Sequence, residues 1–256
     1  MLVGASREVL EKLQTPLTKA ADFEGFWSST LEKYLPKNSA PIVVDHPTPM
    51  KHVDVKDVTV SGFNGDPIKG WFLASKSADA STPCIIMYDG YGGGRGLPHE
   101  WLFWVNVGYR VLVMDTRGQG GGISLAAASL SHHVFAAMPD VPFLCNYKKA
   151  TEMVDTYPYH EITLYCRIHR DKVDQVFSTL SYFDCMNLVT MAKAPALISI
   201  GMHDPVCPPD TIFSMRNHYA GPVTTEIYEY NTHEGGSVAH QLVQAAWLSA
   251  LLEKSK

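Results

Sequence analysis

A chain of 256 residues with 46% hydrophobic and 18% charged residues has an ordinary globular composition, and enough length to bury a sizeable core in a single domain. Its net charge of -5 gives no electrostatic reason to expect nucleic acid or an anionic membrane as a partner. No apolar run reaches the ~18 residues of a membrane span, and Arg7 and Glu8 interrupt the apolar core that a secretory signal would need. The five cysteines (Cys84, Cys145, Cys166, Cys185, Cys207) contain no C-x-x-C pair. They read as reduced thiols in a cytoplasmic protein, with one disulfide or a reactive Cys207 as the alternative.

Residues 1–50 read as a helical extension, with residues 7–35 helical in two pieces broken by Pro16. Val53, Val55, Val58 and Val60 alternate, Gly62 and Asn64-Gly65 supply a turn, and Ile68 to Leu73 return, so 52–74 reads as a hairpin. Cys84–Tyr88 and Val111–Met114 are continuous apolar runs, expected of strands buried on both faces. Between them Glu100–Val107 is a short aromatic helix, in which Trp101 and Trp104 read as core rather than as ligand stackers. A helix follows Gly122, a strand is expected at Val134–Met138, and a helical region covers 143–190. Strand Ala196–Ile200, helix Thr211–Tyr219, strand Thr225–Tyr230 and a helix from Ser237 complete the pattern. Antiparallel strands followed by repeated strand–helix units predict an α/β fold with a mostly parallel sheet covered by helices.

Ligands of such sheets bind beyond the carboxyl ends of the strands, where three loops carry chemistry. Asp89–Gly96 holds glycines that let backbone N–H groups turn toward an anion. It reads as an oxyanion hole, a dinucleotide loop or a structural turn. Arg95 at the third glycine position and Pro98 in the following helix weigh against the dinucleotide. Asp204 follows one strand and His233 the next, so the acid can orient the imidazole and stabilise an imidazolium. Their order matches the Ser…Asp…His order of α/β-hydrolases. His132 and His133 would point to opposite faces of a strand, so with Asp140 they make no metal site.

Gly90–Trp104, Met114-Asp-Thr-Arg-Gly-Gln-Gly120, Asp140–Cys145, Leu180–Asp184 and Asn231-Thr-His-Glu-Gly-Gly236 resemble the acetyl xylan esterase / cephalosporin-C deacetylase family, carbohydrate esterase family seven of the α/β-hydrolases. The resemblance implies deacetylation of short acetate esters on xylo-oligosaccharides and cephalosporins, no cofactor and no metal, and assembly into homo-oligomers, commonly hexamers. It carries Asp204 and His233 over as triad acid and base, and Tyr91 as an oxyanion N–H donor, with Gln119 an ambiguous second. The family's nucleophile elbow Gly-x-Ser-Gln-Gly-Gly has no counterpart. Arg117-Gly-Gln119 runs straight into Gly120-Gly-Gly-Ile-Ser-Leu, so the nucleophile position falls on Gly118. An internal deletion near 118–122, removing one central strand, is expected. Ser124 and Ser237 fit a loosened pattern, but Ser124 reads as already inside a helix and Ser237 as the N-cap of the last one.

Overall fold

The computed structural model describes residues 3–35, 40–115 and 120–255. They are divided between two units: one comprises the N-terminal stretch to Phe23 together with Gly121 onward, the other Glu24 to Gly120. The expected helical extension is shorter than its sequence suggests. Helix α1 covers only Arg7–Leu10 and helix α2 Phe23–Tyr34, with non-helical chain around Pro16. Fully buried Leu10 anchors the first piece, and Asn217 donates to the carbonyls of Leu10 and Leu13 at 3.0 and 2.9 Å.

In the 24–120 unit the strands are β1 (Ile42–Asp45), β2 (Val53–Ser61), β3 (Pro67–Ser75), β4 (Cys84–Tyr88) and β5 (Arg110–Met114), in the spatial order β1-β2-β3-β5-β4. The hairpin expected at 52–74 is β2 and β3, paired from Val53↔Ser75 to Ser61↔Pro67. Asn64 at φ 55 and Gly65 at φ 87 make its turn, the two residue types that tolerate the left-handed region best. Helix α3 (Leu102–Asn106) packs Trp104 at 4% exposure, edge-on to Phe103 and Tyr109, so this tryptophan is core as expected. Leu73, Val111 and Val113 are fully buried, each contributing about 1.5–3 kcal/mol of transfer free energy.

The other unit holds β6 (Ala196–Gly201) and β7 (Val223–Tyr228), paired in parallel from Ala196↔Val223 to Gly201↔Tyr228. All of β6 is buried, as its apolar run predicts. Helix α4 (Gly120–Leu130) follows β5, and α5 (Tyr147–Met153), α6 (Tyr159–Ile168), α7 (Val173–Leu180) and α8 (Cys185–Leu188) fill the expected helical region. Tyr147, Ala150, Val154 and Tyr159 form a buried cluster there with Phe143 and Leu180 packed against it. Helix α9 (Pro209–Arg216) and helix α10 (Ser237–Lys254) complete the unit. The stripe that α10 buries is His240, Gln244 and Leu248, every fourth residue.

Two expectations are corrected and one is refined. The strands are mixed as expected, but the antiparallel part extends beyond one hairpin: β1–β2, β2–β3 and β3–β5 are antiparallel, while β4–β5 and β6–β7 are parallel. β1 is one reason, an unforeseen strand squeezed between Pro41 and His46-Pro47. The strand expected at Val134–Met138 is reduced to isolated bridges, Ala137↔Ala196 and Asp140↔Ser199. Pro139 and Pro142 lack the N–H that a continuous ladder needs. Finally, β4 is not buried on both faces, and its Ile86 is 50% exposed. β4 ends its sheet, and among the described residues no strand pairs its other edge.

Candidate active site

The parallel register of β6 and β7 brings Gly201 opposite Tyr228, so the loops after both strands start side by side. Met202 N–H donates to Tyr228 O and His203 N–H to Asn231 O, both at 3.0 Å. The approach is close enough that a Cβ on Gly201 would stand 2.2 Å from Thr232 O, which only glycine avoids. This seam sets the pair predicted from the sequence. Asp204 is fully buried, and its Oδ2 accepts from His233 Nδ1 at 2.9 Å. Its Oδ1 accepts from the N–H groups of Val206 and Cys207 at 2.8 and 2.9 Å. With a carboxylate on Nδ1, the proton sits there and Nε2 is left as the basic nitrogen. The His233 side chain is 46% exposed, so a substrate can reach it.

Glu234 holds the histidine loop in shape. Its carboxylate accepts from Asn231 Nδ2 at 2.8 Å, from Thr232 N–H at 3.0 Å and from Thr232 Oγ1 at 2.5 Å. The Thr232 hydroxyl, with backbone and Asn231 donors, holds this carboxyl down at about 2. Glu234 therefore stays charged at any working pH. Sequence reasoning gave it no role.

Beside the pair lies a polar network that the sequence did not reveal. Asp140 Oδ1 accepts from Gln244 Nε2 at 2.8 Å and from Ser199 Oγ at 3.3 Å, and Ser199 Oγ accepts the Val141 N–H at 3.1 Å. Tyr228 OH pairs with His240 Nδ1 at 2.9 Å. His240 Nε2 lies 3.1 Å from Asp140 Oδ1 but off the hydrogen-bonding direction, in a side chain that is 2% exposed. The network joins the 140–141 segment to β6, β7 and α10.

The remaining predicted residues fall as follows. Tyr91 lies in the loop after β4, in the 24–120 unit, with a 56% exposed side chain. That loop is tied down by Arg95, whose N–H donates to Asp115 Oδ1 at 2.7 Å and whose guanidinium covers the Trp71 ring at 3.9 Å. Asp115, the acid ending the next strand that a dinucleotide loop would use for a ribose, is thus engaged by Arg95, a third reason against a dinucleotide. Gln119 and the nucleophile position Gly118 lie outside the described residues. Ser124 is inside α4, as expected, rather than on a strand-to-helix turn. Ser237 is not the N-cap of α10: Gly236 takes that place at φ 88 with no side-chain cap, and Ser237 N–H donates to Glu234 O at 2.7 Å. The start of α4 is crowded. A Cβ on Gly120 would lie 2.2 Å from Tyr88 O, and one on Gly121 would lie 2.7 Å from Pro142 Cα.

The chain is similar to known proteins. The family model for acetyl xylan esterase (AXE1) matches in two segments, residues 5–121 and 118–251, which meet where the sequence reading puts the junction. A curated relative, acetyl esterase Axe7A of Xylanibacter ruminicola, is 28% identical over 131 residues, 51% of this chain. The chain spans 28% of that relative's length. The acetyl xylan esterase structure from Paenibacillus sp. R4 is 28% identical with a TM-score of 0.90, covering 96% of this chain and 99% of that one. Acetyl xylan esterase 1 from Thermoanaerobacterium sp. JW/SL YS485 is 21% identical with a TM-score of 0.87, covering 94% and 97%. The fold is that of the α/β-hydrolases. Matched from residue 5 to residue 251, the chain belongs to the acetyl xylan esterase family.

Proposed function

We propose that this chain is an acetyl ester hydrolase for acetylated xylo-oligosaccharides and cephalosporin-type acetate esters, impaired because no serine stands at the nucleophile position. The observation that carries the reading is the Asp204–His233 contact at 2.9 Å, the arrangement an acid–base pair needs. By the resemblance, Gly118 falls where the family has its serine, and the two segments of the family match overlap at 118–121. His233 Nε2 would take the proton of an attacking group and Asp204 would hold the imidazolium, while Tyr91 and Gln119 belong to the proposed oxyanion hole. The partners proposed are small acetylated substrates and further copies of the chain, not nucleic acid at a net charge of -5. No helix among the described residues is long and apolar enough to cross a membrane, and the free cysteines fit a cytoplasmic location.

The test is hydrolysis of p-nitrophenyl acetate and of acetylated xylo-oligosaccharides by the purified chain, beside His233→Ala and Ser124→Ala. Without a nucleophile, an intact oxyanion hole and binding alone leave at most about 10³–10⁴-fold over water. Turnover at or below that level, insensitive to Ser124→Ala, supports the reading. Enzyme-like turnover abolished by both variants would overturn it. The second reading, a catalytically inactive assembly or binding protein that retains a sugar-ester pocket, rests on the same missing serine. Saturable binding of acetylated oligosaccharide with no hydrolysis favours it.

A further inference from the structure

Behind His233, the loop after β6 turns back and places a cysteine that catalysis has no use for. Cys207 is fully buried, and its Sγ, an Asp204 carboxylate oxygen and a His233 ring nitrogen lie within 4.8 Å of one another. We propose that Cys207, Asp204 and His233 form a binding site for one borderline-soft divalent cation of the zinc class.

The ligand set is chemically selective. Thiolate, imidazole and carboxylate suit zinc or cadmium, whereas magnesium and calcium take oxygen ligands. Zinc bonds span ~2.0–2.3 Å, so ligand atoms already within 4.8 Å of one another need only a small closure to meet around one ion. Two of the ligands are set by the chain itself. Asp204 is held by the Val206 and Cys207 N–H groups through Oδ1, which leaves Oδ2 to face the ion, and the turn that makes those bonds carries Cys207. The half-exposed side of His233 is the way in and leaves a fourth position for water.

The proton balance is simple. The Cys207 S–H bond breaks and its proton goes to solvent. His233 shifts its own proton from Nδ1 to Nε2, so Nδ1 can ligate. A dication with one thiolate and one carboxylate then sums to zero charge, which suits a buried place. Affinity rises with pH, because the thiol must ionise. The bound ion would occupy Asp204 Oδ2 and His233 Nδ1 together and leave Nε2 protonated, disabling the imidazole as a base. The site depends on these two loops alone, so it stands or falls separately from the acetylesterase reading.

The experiment titrates the chelator-treated full chain with cadmium, followed by the ultraviolet charge-transfer band of a cadmium–thiolate bond, with zinc as competitor. One equivalent should saturate the band, and Cys207→Ser should abolish it. Cys84→Ser and Cys166→Ser should retain it, and His233→Ala, which removes a direct ligand, should weaken binding by more than the ~10–100-fold that loss of an outer-shell partner costs. Magnesium should not compete. No stoichiometric band, or a band that survives Cys207→Ser, overturns the proposal. Should Cys207→Ser fail to fold, the imidazole resonances of His233 in the unmodified chain decide: displacement by one equivalent of zinc supports the site, and unchanged resonances overturn it.

Discussion

Replacing Asp204 separates what its carboxylate does for the fold from what it does for the histidine. The side chain is fully buried and accepts the Cys207 N–H in a buried setting, the Val206 N–H in a part-buried one, and the His233 Nδ1. In Asp204→Ala the Cys207 N–H is stranded at about 1–3 kcal/mol, and the Val206 N–H costs less. The histidine bond adds only a fraction of a buried charged bond, because its ring is 46% exposed. The sum is about 2–5 kcal/mol, set against a typical total of about 5–15. Asp204→Asn keeps the Oδ1 acceptor for both N–H groups and loses the charge, so it should cost only about 1–2 kcal/mol. The asparagine amide facing Nδ1 would reverse the imidazole tautomer, placing the proton on Nε2 and removing the base. Urea denaturation at constant m-value measures both variants. An alanine variant that loses less than about 1 kcal/mol, or no more than the asparagine variant, would refute the assignment of the Oδ1 bonds.

Other perturbations test separate joints. Burial pushes the Asp184 carboxyl up to about 6, although Asn146, Tyr147 and Met186 N–H groups donate to it. The folded state then holds this proton more tightly than the unfolded chain, whose value is ~3.9. Stability should accordingly fall by about 2–3 kcal/mol as pH rises from ~4 through ~6, and Asp184→Asn should flatten that slope. Glu234, held down at about 2, carries the opposite sign. Its contribution is present above an unfolded value of ~4.3 and lost as pH falls through about 2, which amide exchange at Thr232 reports and Glu234→Gln removes. Gly201→Ala puts a methyl 2.2 Å from Thr232 O, so the two loops must part. Loss of the low-temperature His233–Asp204 imidazole proton signal checks that. Gly118→Ser returns a hydroxyl to the position where the resemblance puts the family's nucleophile and should raise acetate ester turnover; an unchanged rate would count against that assignment.

Much of the fold could be read from apolar runs alone, because β4, β5 and β6 are short, apolar and β-branched. The acid–base pair was equally legible, since one residue after each of two consecutive parallel strands must meet its counterpart. Two short or interrupted strands were misjudged. β1 exposes all four of its residues and so shows no period. The 134–138 segment has strand composition, but prolines just beyond it cap the pairing at two bridges. The Asp140, Ser199, Tyr228, His240 and Gln244 network draws on residues up to 104 positions apart, a proximity that no local spacing encodes. Cys207 was visible as a cysteine, but its place beside Asp204 and His233 follows from the turn of the loop.

The most direct test treats the purified chain with a serine-directed fluorophosphonate and weighs it intact, with Gly118→Ser and Gly118→Ser/His233→Ala beside it. The expected result is no adduct on the unmodified chain. A single adduct on one of its own serines, formed only while His233 is present, would contradict a site that keeps its acid and base but has no hydroxyl to activate.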